Sequence, residues 1–252
     1  MHIPVLQKEV LAYLDPKPNE NFIDCTIGQA GHSLAILEKN GPRGKVLGID
    51  RDSRMIKCLN RGVKHSRLIL ACDNFVNLKE IVKKNKFGPV SGILLDLGMS
   101  SWHLEESGRG FSFLKKEPLD MRYDKSSKLT AEEIVNKWPK TEIENILREY
   151  GEEKFAKEIT EEIANQRKFT PIKTTFQLIK IIKKAIPLKY QYQRLHCAAR
   201  TFQAIRIAVN KELDNLRKAL PRAIEILPDE GKLIVISFHS SEDRIVKKFF
   251  RD

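Results

Sequence analysis

The chain has 252 residues, 41% hydrophobic and 31% charged, a balance that suits a globular fold and argues against disorder. Lys and Arg number 45 against 33 Asp and Glu, and the net charge of +12 favours a polyanionic partner. No apolar run approaches the roughly 18 residues of a membrane span, and the first residues carry no secretory core. The four cysteines form no C-x-x-C pair. That argues against zinc and disulfide scaffolds, so no metal is expected and a reducing cytoplasm is the expected compartment.

From Phe22 to Asp96 the chain alternates strand and helix patterns. Strands are expected over Phe22–Ile27, Lys45–Asp50, Arg67–Cys72 and Val90–Asp96. Helices are expected over Gly31–Asn40, Asp52–Arg61 and Phe75–Asn85, the second capped by Asp52 or Ser53 and stopped at Gly62. Short apolar runs joined by amphipathic helices imply a mainly parallel, Rossmann-like sheet covered on both faces. Gly98–Asp124 breaks this rhythm and reads as an active-site loop. Leu129–Pro187 is helical by pattern, with a capping box at Thr130–Glu133. A long helical stretch over Ala198–Leu227, a strand over Lys232–Phe238 and a helix over Glu242–Phe250 close the chain. The α/β fold is therefore expected as a discontinuous domain of residues 1–124 and 194–252. Residues 125–193 form an inserted all-helical domain for substrate recognition.

Charge is unevenly spread. Residues 130–162 hold ten acidic and five basic side chains, whereas residues 163–211 hold eleven basic and no acidic ones. Lys183, Lys184, Arg194, Arg200 and Arg206 belong to that run, with Tyr190, Tyr192 and Phe202 among them. Basic charge attracts phosphate and aromatic rings stack on unpaired bases, so this segment is a candidate nucleic-acid surface.

The first strand leads into Asp24-Cys-Thr-Ile-Gly28-Gln-Ala-Gly31. Glycines directly after a strand let backbone approach a ligand, and the following helix presents free N–H groups. Asp50, 22 residues after Gly28, is placed for ribose hydroxyls. The run is not G-x-G-x-x-G, so a dinucleotide is less favoured. Asp24 suits a cationic cofactor, which S-adenosyl-L-methionine is and NAD is not. Asp73 and Phe75 follow the third strand, where an adenine edge and face would be held. Asp96 ends the fourth, beside the expected crevice.

The chain resembles the bacterial 16S ribosomal RNA cytosine-N4 methyltransferases, the RsmH/MraW family. The resemblance runs from His2-Ile-Pro-Val-Leu to Arg251 and is carried by long segments in one order. They are Asp24-Cys-Thr-Ile-Gly-Gln-Ala-Gly-His-Ser33, Gly48-Ile-Asp-Arg-Asp52, Leu95-Asp-Leu-Gly-Met-Ser-Ser101 and Gly108-Arg-Gly-Phe-Ser-Phe113. They continue as Pro118-Leu-Asp-Met-Arg-Tyr-Asp124, Tyr150-Gly-Glu-Glu-Lys-Phe-Ala156, Arg200-Thr-Phe-Gln-Ala-Ile-Arg-Ile-Ala-Val-Asn210 and Ile236-Ser-Phe-His-Ser-Ser-Glu-Asp-Arg-Ile-Val246. The resemblance implies a class I methyltransferase fold and S-adenosyl-L-methionine held at Ala30, Gly31, His32, Asp50, Phe75, Asp96 and His103. It also implies methylation at N4 of a cytidine in the decoding region of 16S rRNA, within the 30S subunit.

Two segments depart from the family pattern. Ser100-Ser-Trp-His103 stands where relatives show Ser-Ser-Pro-Gln, and His196-Cys-Ala-Ala-Arg-Thr-Phe202 where they show His-Pro-Ala-Thr-Arg-Thr-Phe. Relatives continue beyond Phe-Phe-Arg into a terminal sheet hairpin that is expected to be missing here.

For catalysis, Asp96 is the expected proton acceptor, with Ser100 and Ser101 as supporting groups or turn caps. Trp102, Phe111 and Phe113 are candidate stacking platforms. Arg109 and Arg122 would bind RNA or hold the loop closed. His239 would touch the target nucleotide or cap the last helix. A truncated or non-catalytic RNA-binding relative acting in ribosome assembly is the alternative. Either a monomer or a homodimer fits the sequence.

Overall fold

A computed structural model describes residues 4–192 and 194–252. The first two residues of the His2-Ile-Pro-Val-Leu segment lie outside them. The described chain divides into two compact units, Met1–Gly98 with Leu213–Asp252, and Met99–Glu212. No helix among the described residues is long and apolar enough to cross a membrane.

The first unit is built on five strands. These are β1 (Phe22–Asp24), β2 (Val46–Asp50), β3 (Leu68–Cys72), β4 (Gly92–Asp96) and β5 (Lys232–Ile236). All neighbours pair in parallel in the order β3-β2-β1-β4-β5. The chain winds outward from β1 to β3, then crosses to the other side for β4 and β5. The order reverses between β1 and β4, and open α/β sheets bind ligands outside the carboxyl ends of the strands at that point. This is the doubly covered parallel sheet expected of a class I methyltransferase.

Side-chain alternation assigns the two faces. Ile23, Leu47, Ile93 and Leu95 pack on one side with Leu78 and Ile81, and with Leu216 and Leu220. Phe22, Val46 and Leu94 pack on the other with Val10, Leu14, Ile36 and Leu37. The covering helices are α1 (Gln7–Leu14), α2 (Gly31–Lys39), α3 (Ser53–Gly62) and α4 (Leu78–Lys84). A single 3-10 turn, Phe75–Asn77, precedes α4. The first strand is shorter than expected because the chain turns at Cys25, although Ile27 N–H still reaches the Ile49 carbonyl at 2.9 Å. Asp52, not Ser53, caps α3 by accepting from Arg54 N–H at 3.0 Å. The helix ends at Gly62 as expected, with extended Val63 following it.

The second unit is helical: α5 (Ser101–Glu105), α6 (Ala131–Lys137), α7 (Lys140–Glu149), α8 (Ala156–Gln166), α9 (Thr175–Ala185), α10 (Leu188–Gln191) and α11 (Ala199–Asn210). Their apolar faces meet in one core that includes Ile134, Leu147, Ile159, Leu178, Ile182 and Ile205. Phe111, Leu119, Met121 and Tyr123 share that core, as do Phe202, Ala204 and Val209. Residues 99–124 and 194–212 therefore pack with the helices, whereas the sequence reading groups them with the sheet.

The expected Thr130 box is half formed, since Thr130 accepts from Glu133 N–H but the Glu133 carboxylate pairs with Lys137. A complete box instead joins Thr174 and Gln177. The expected helix over Ala198–Leu227 is broken at Lys211, which is left-handed at φ 51°. The chain resumes as α12 (Glu212–Ile224), and α13 (Ser240–Arg251) follows β5.

Candidate active site

In the sheet unit, four carboxylates sit at or just beyond strand ends. Asp24, Asp50 and Asp96 end β1, β2 and β4, and Asp73 follows β3. Asp24 and Asp96 flank the point where strand order reverses. The turn after β1 takes the left-handed conformation at Gly28 (φ 48°) and at Ala30 (φ 66°), the residue before α2. A non-glycine residue there is uncommon, and backbone of this shape exposes N–H groups to a ligand.

Asp24 is 2% exposed. Its oxygens accept from Ser33 Oγ at 2.7 Å and from Thr26 N–H at 3.1 Å. Burial pushes its carboxyl up to about 6, against the opposing pull of the Ser33 hydroxyl. Asp24 thus braces the turn from beneath. Asp50 accepts from Gly28 N–H at 3.2 Å and from Asp52 N–H at 2.8 Å, so it ties the glycine turn to the end of β2. Asp73 is exposed and accepts from Asn74 N–H and the Asn77 amide. Phe75 opens the 3-10 turn half-buried.

Asp96 is positioned by Thr26, whose Oγ1 accepts its backbone N–H at 2.7 Å. Its Oδ2 lies 3.6 Å from Nε2 of the buried His32, on the first turn of α2. Its Oδ1 is buried and has no hydrogen-bond partner, and neither ring nitrogen of His32 has one. Most buried polar atoms are paired, so unsatisfied acceptors and donors clustered at a strand end point to a ligand. Sequence reasoning singles out Asp24 and Asp96 but not Thr26 and Ser33, which aim them. Short hydroxyl side chains within the glycine-containing motif are the signal for both.

His239 precedes α13 without making a side-chain cap bond, and its Nε2 lies 3.2 Å from Glu242 Oε1. Glu242 also accepts Phe238 N–H at 3.0 Å, so the carboxylate, not the imidazole, closes the start of that helix.

In the helical unit, Ser100 Oγ lies 2.8 Å from His103 Nδ1, and Ser101 is the first residue of α5. His103 is 4% exposed and sits edge-on against Trp102, Phe111 and Tyr123, at 5.3, 5.2 and 4.8 Å. Of the candidate platforms, Phe111 is buried against Tyr123, and Phe113 stacks on His196 at 4.7 Å.

Of the two expectations for Arg109, RNA contact or holding the loop, its surroundings fit the second. It is 2% exposed, donates from Nη1 to the Arg122 and Tyr123 carbonyls at 2.9 Å, and lies over the Trp102 ring. A guanidinium enclosed in this way fixes the loop. Arg122 is likewise engaged with Asp120 and with the Lys125 and Ser127 carbonyls. The Asp120 carboxyl is held below the usual carboxylate range by Arg122, despite its own partial burial.

The basic run is also partly structural. Arg167 donates to the Val135 and Trp138 carbonyls, and Arg206 pairs with Glu212. Arg200 is exposed but donates to the Glu152 carbonyl at 2.8 Å. Lys183, Lys184 and Arg194 are exposed. Phe202 is buried in the helical core and Tyr190 packs on Phe155, which leaves Tyr192, at 85% exposure, as the open ring of those three.

Comparison with known proteins gives a consistent relationship. The chain is 44% identical over 252 residues to the ribosomal RNA small subunit methyltransferase H of Clostridium botulinum (strain Kyoto / Type A2), covering 100% of this chain and 81% of that protein. Identity is 47% to the protein of the same name in Halothermothrix orenii, with the same coverage. It is 46% over 254 residues to that of Heliobacterium modesticaldum, again covering 100% and 81%. The MraW methylase family matches residues 1–252. With that match over the full sequence and relatives well above 40% identity along all of it, the chain belongs to the MraW methylase family.

Proposed function

We propose that this protein transfers a methyl group from S-adenosyl-L-methionine to the N4 amino group of a cytidine in the decoding region of 16S rRNA, acting in the cytoplasm on the 30S subunit. The reading is carried by Asp96, whose buried Oδ1 has no partner at the end of β4. An amino group with an N–H to donate is the ligand that such an oxygen accepts. The family, the relatives named as small-subunit rRNA methyltransferases and the net charge of +12 support an RNA substrate.

The strand ends fit an adenosyl cofactor. Asp50 ends the second strand where ribose hydroxyls bind in such folds, and Gly28, Ala30 and Gly31 bring backbone to the same edge. Asp73 and Phe75 offer a polar edge and an apolar face at the end of the third strand. His32 brings two unsatisfied ring nitrogens to this edge. In the helical unit His103 is the residue the family pattern would assign to the cofactor. When bound, S-adenosyl-L-methionine supplies an electrophilic methyl carried on a sulfonium.

The chain's own residues address the weakness of the nucleophile. The lone pair of cytosine N4 is delocalised into the ring. Asp96 Oδ1, accepting an N4–H bond, draws electron density onto nitrogen and receives the proton that leaves. Thr26 fixes the direction of the Asp96 backbone, and His32 faces its second oxygen.

The test is methyl transfer from labelled cofactor to 30S subunits lacking the native modification, followed by nucleoside mass analysis. The expected product is N4-methylcytidine. Asp96→Asn should cut turnover by about 10²- to 10⁴-fold while cofactor affinity stays within a few-fold. Absence of label with the unaltered protein would overturn the proposed reaction, and unchanged turnover in the variant would remove Asp96 from it.

A further inference from the structure

Between α8 and α9 the helical unit carries a groove of about 180 Å³. Buried Ile172 and Ile181 line it, and Gln166, Gln177, Lys180 and Lys184 supply its polar groups. Gln177 Oε1 is committed to the N–H groups of Lys173 and Thr174, at 2.8 and 3.0 Å, which leaves the amide NH2 as its donor end. The one carboxylate among the lining residues, Glu162, is paired with Lys184 at 2.5 Å.

Two exposed phenyl rings are next in sequence to residues that line this groove. Phe169, 86% exposed, directly precedes its Thr170, and Phe176 is 41% exposed. Phe176, Lys180 and Lys184 are spaced i, i+4, i+8 along α9, so they share one helix face. Lys168 and Lys173 are exposed on either side of Phe169 in sequence. The whole stretch lies within the 49 residues from Ile163 to Lys211 that contain no acidic side chain.

A single exposed phenylalanine needs no explanation. Two of them, each adjoining in sequence a residue of an amide-lined, lysine-edged groove, bring together an apolar face, hydrogen-bond donors and cationic charge, the set that holds an unpaired nucleotide. A duplex would leave the rings unused, because its bases are stacked on each other.

We infer that the α8–α9 groove seats an unpaired nucleotide of the RNA substrate, with a base stacked on Phe169 and its edge at Gln166 and Gln177. Lys180 neutralises an adjoining phosphate. This rests on the proposed RNA substrate and adds a contact site to it.

The test measures binding of a fluorescein-labelled single-stranded oligouridylate to the full chain, with an RNA duplex and polyglutamate as competitors. Phe169→Ala is expected to weaken binding about fivefold to a hundredfold, and Phe169→Tyr to restore it. Lys180→Ala substitution should make the logarithmic salt dependence shallower by about 0.7, the share of one phosphate. Cofactor affinity should be unchanged in every variant, which separates loss of contact from loss of fold. Unchanged oligouridylate affinity in Phe169→Ala, failure of the unaltered protein to bind it, or displacement by duplex or polyglutamate at lower concentration than by the single strand would overturn the inference. Methyl transfer to 30S subunits is read in parallel. If the unaltered protein methylates and Phe169→Ala matches it in KM and in oligouridylate affinity, the groove fails while the proposed reaction stands. If oligouridylate binding depends on Phe169 but nothing is methylated, the groove stands and the proposed reaction fails.

Discussion

Nε2 of His32 lies 3.6 Å from Oδ2 of Asp96, with the imidazole 6% and the carboxylate 24% exposed. The pair joins the first turn of α2 to the end of β4, on either side of the glycine turn. Asp24 lies beneath, held by Ser33 and Thr26. Thr26 also accepts the Asp96 backbone N–H, so one short segment fixes both carboxylates. The arrangement leaves the buried Asp96 Oδ1 without a hydrogen-bond partner at the strand end while its neighbours are locked.

The buried Asp24 predicts a specific pH dependence. Burial raises its carboxyl to about 6 from its ordinary value of 3.8. The folded state therefore binds this proton more tightly than the unfolded chain, and stability falls as pH rises from about 4 to about 6. A shift of this size corresponds to about 3 kcal/mol. Asp24→Asn should remove that component. Urea midpoints compared across pH 4 to 7 should show the variant gaining on the unaltered protein as pH rises; parallel curves would refute the assignment.

Arg109 should behave as a core residue. Arg109→Met keeps the stem but removes a buried donor to two carbonyls and the cation over Trp102. A loss of about 3 kcal/mol is expected, with a change in tryptophan fluorescence. Arg122→Met, at a site 20% exposed, should cost about 1 kcal/mol. Equal, small losses at both positions would show that Arg109 is not structural.

The Arg206–Glu212 pair spans the break between α11 and α12, with bonds of 2.9 and 3.0 Å and both side chains 9% exposed. Removing either partner leaves a charge enclosed. Arg206→Ala or Glu212→Ala should each cost about 3–5 kcal/mol. The double replacement Arg206→Met, Glu212→Leu should recover most of that loss. A double-mutant cycle in urea with no coupling would place the charges in solvent instead.

Much of the sheet was legible because its signals are local. Runs such as Val46–Asp50 and Gly92–Asp96 are apolar and short, and each ends in a carboxylate of the candidate site. The motif around Gly28 announces a backbone turn because side chains there are small. The basic run was legible as charge but not as surface. Its sequence does not distinguish Arg167, spent on two carbonyls, from Lys180, which is exposed. Phe202 and Phe169 read alike in the sequence, yet one is buried and the other open to solvent.

The sequence by itself determined the family, the alternating α/β plan, the acidic strand ends and the sign of the charge, since these follow from composition, periodicity and local motif. Tertiary structure alone decided that Arg109 and Arg206 are interior and that the 99–124 loop packs with the helices. It also decided that α11 ends at Asn210 and that Asp96 keeps an unsatisfied oxygen. Several of these depend on partners far away in sequence, as when the Asn210 amide donates to the Met121 carbonyl at 2.7 Å and accepts Tyr123 N–H at 3.0 Å. A buried polar group finds its partner through packing, which no local pattern specifies.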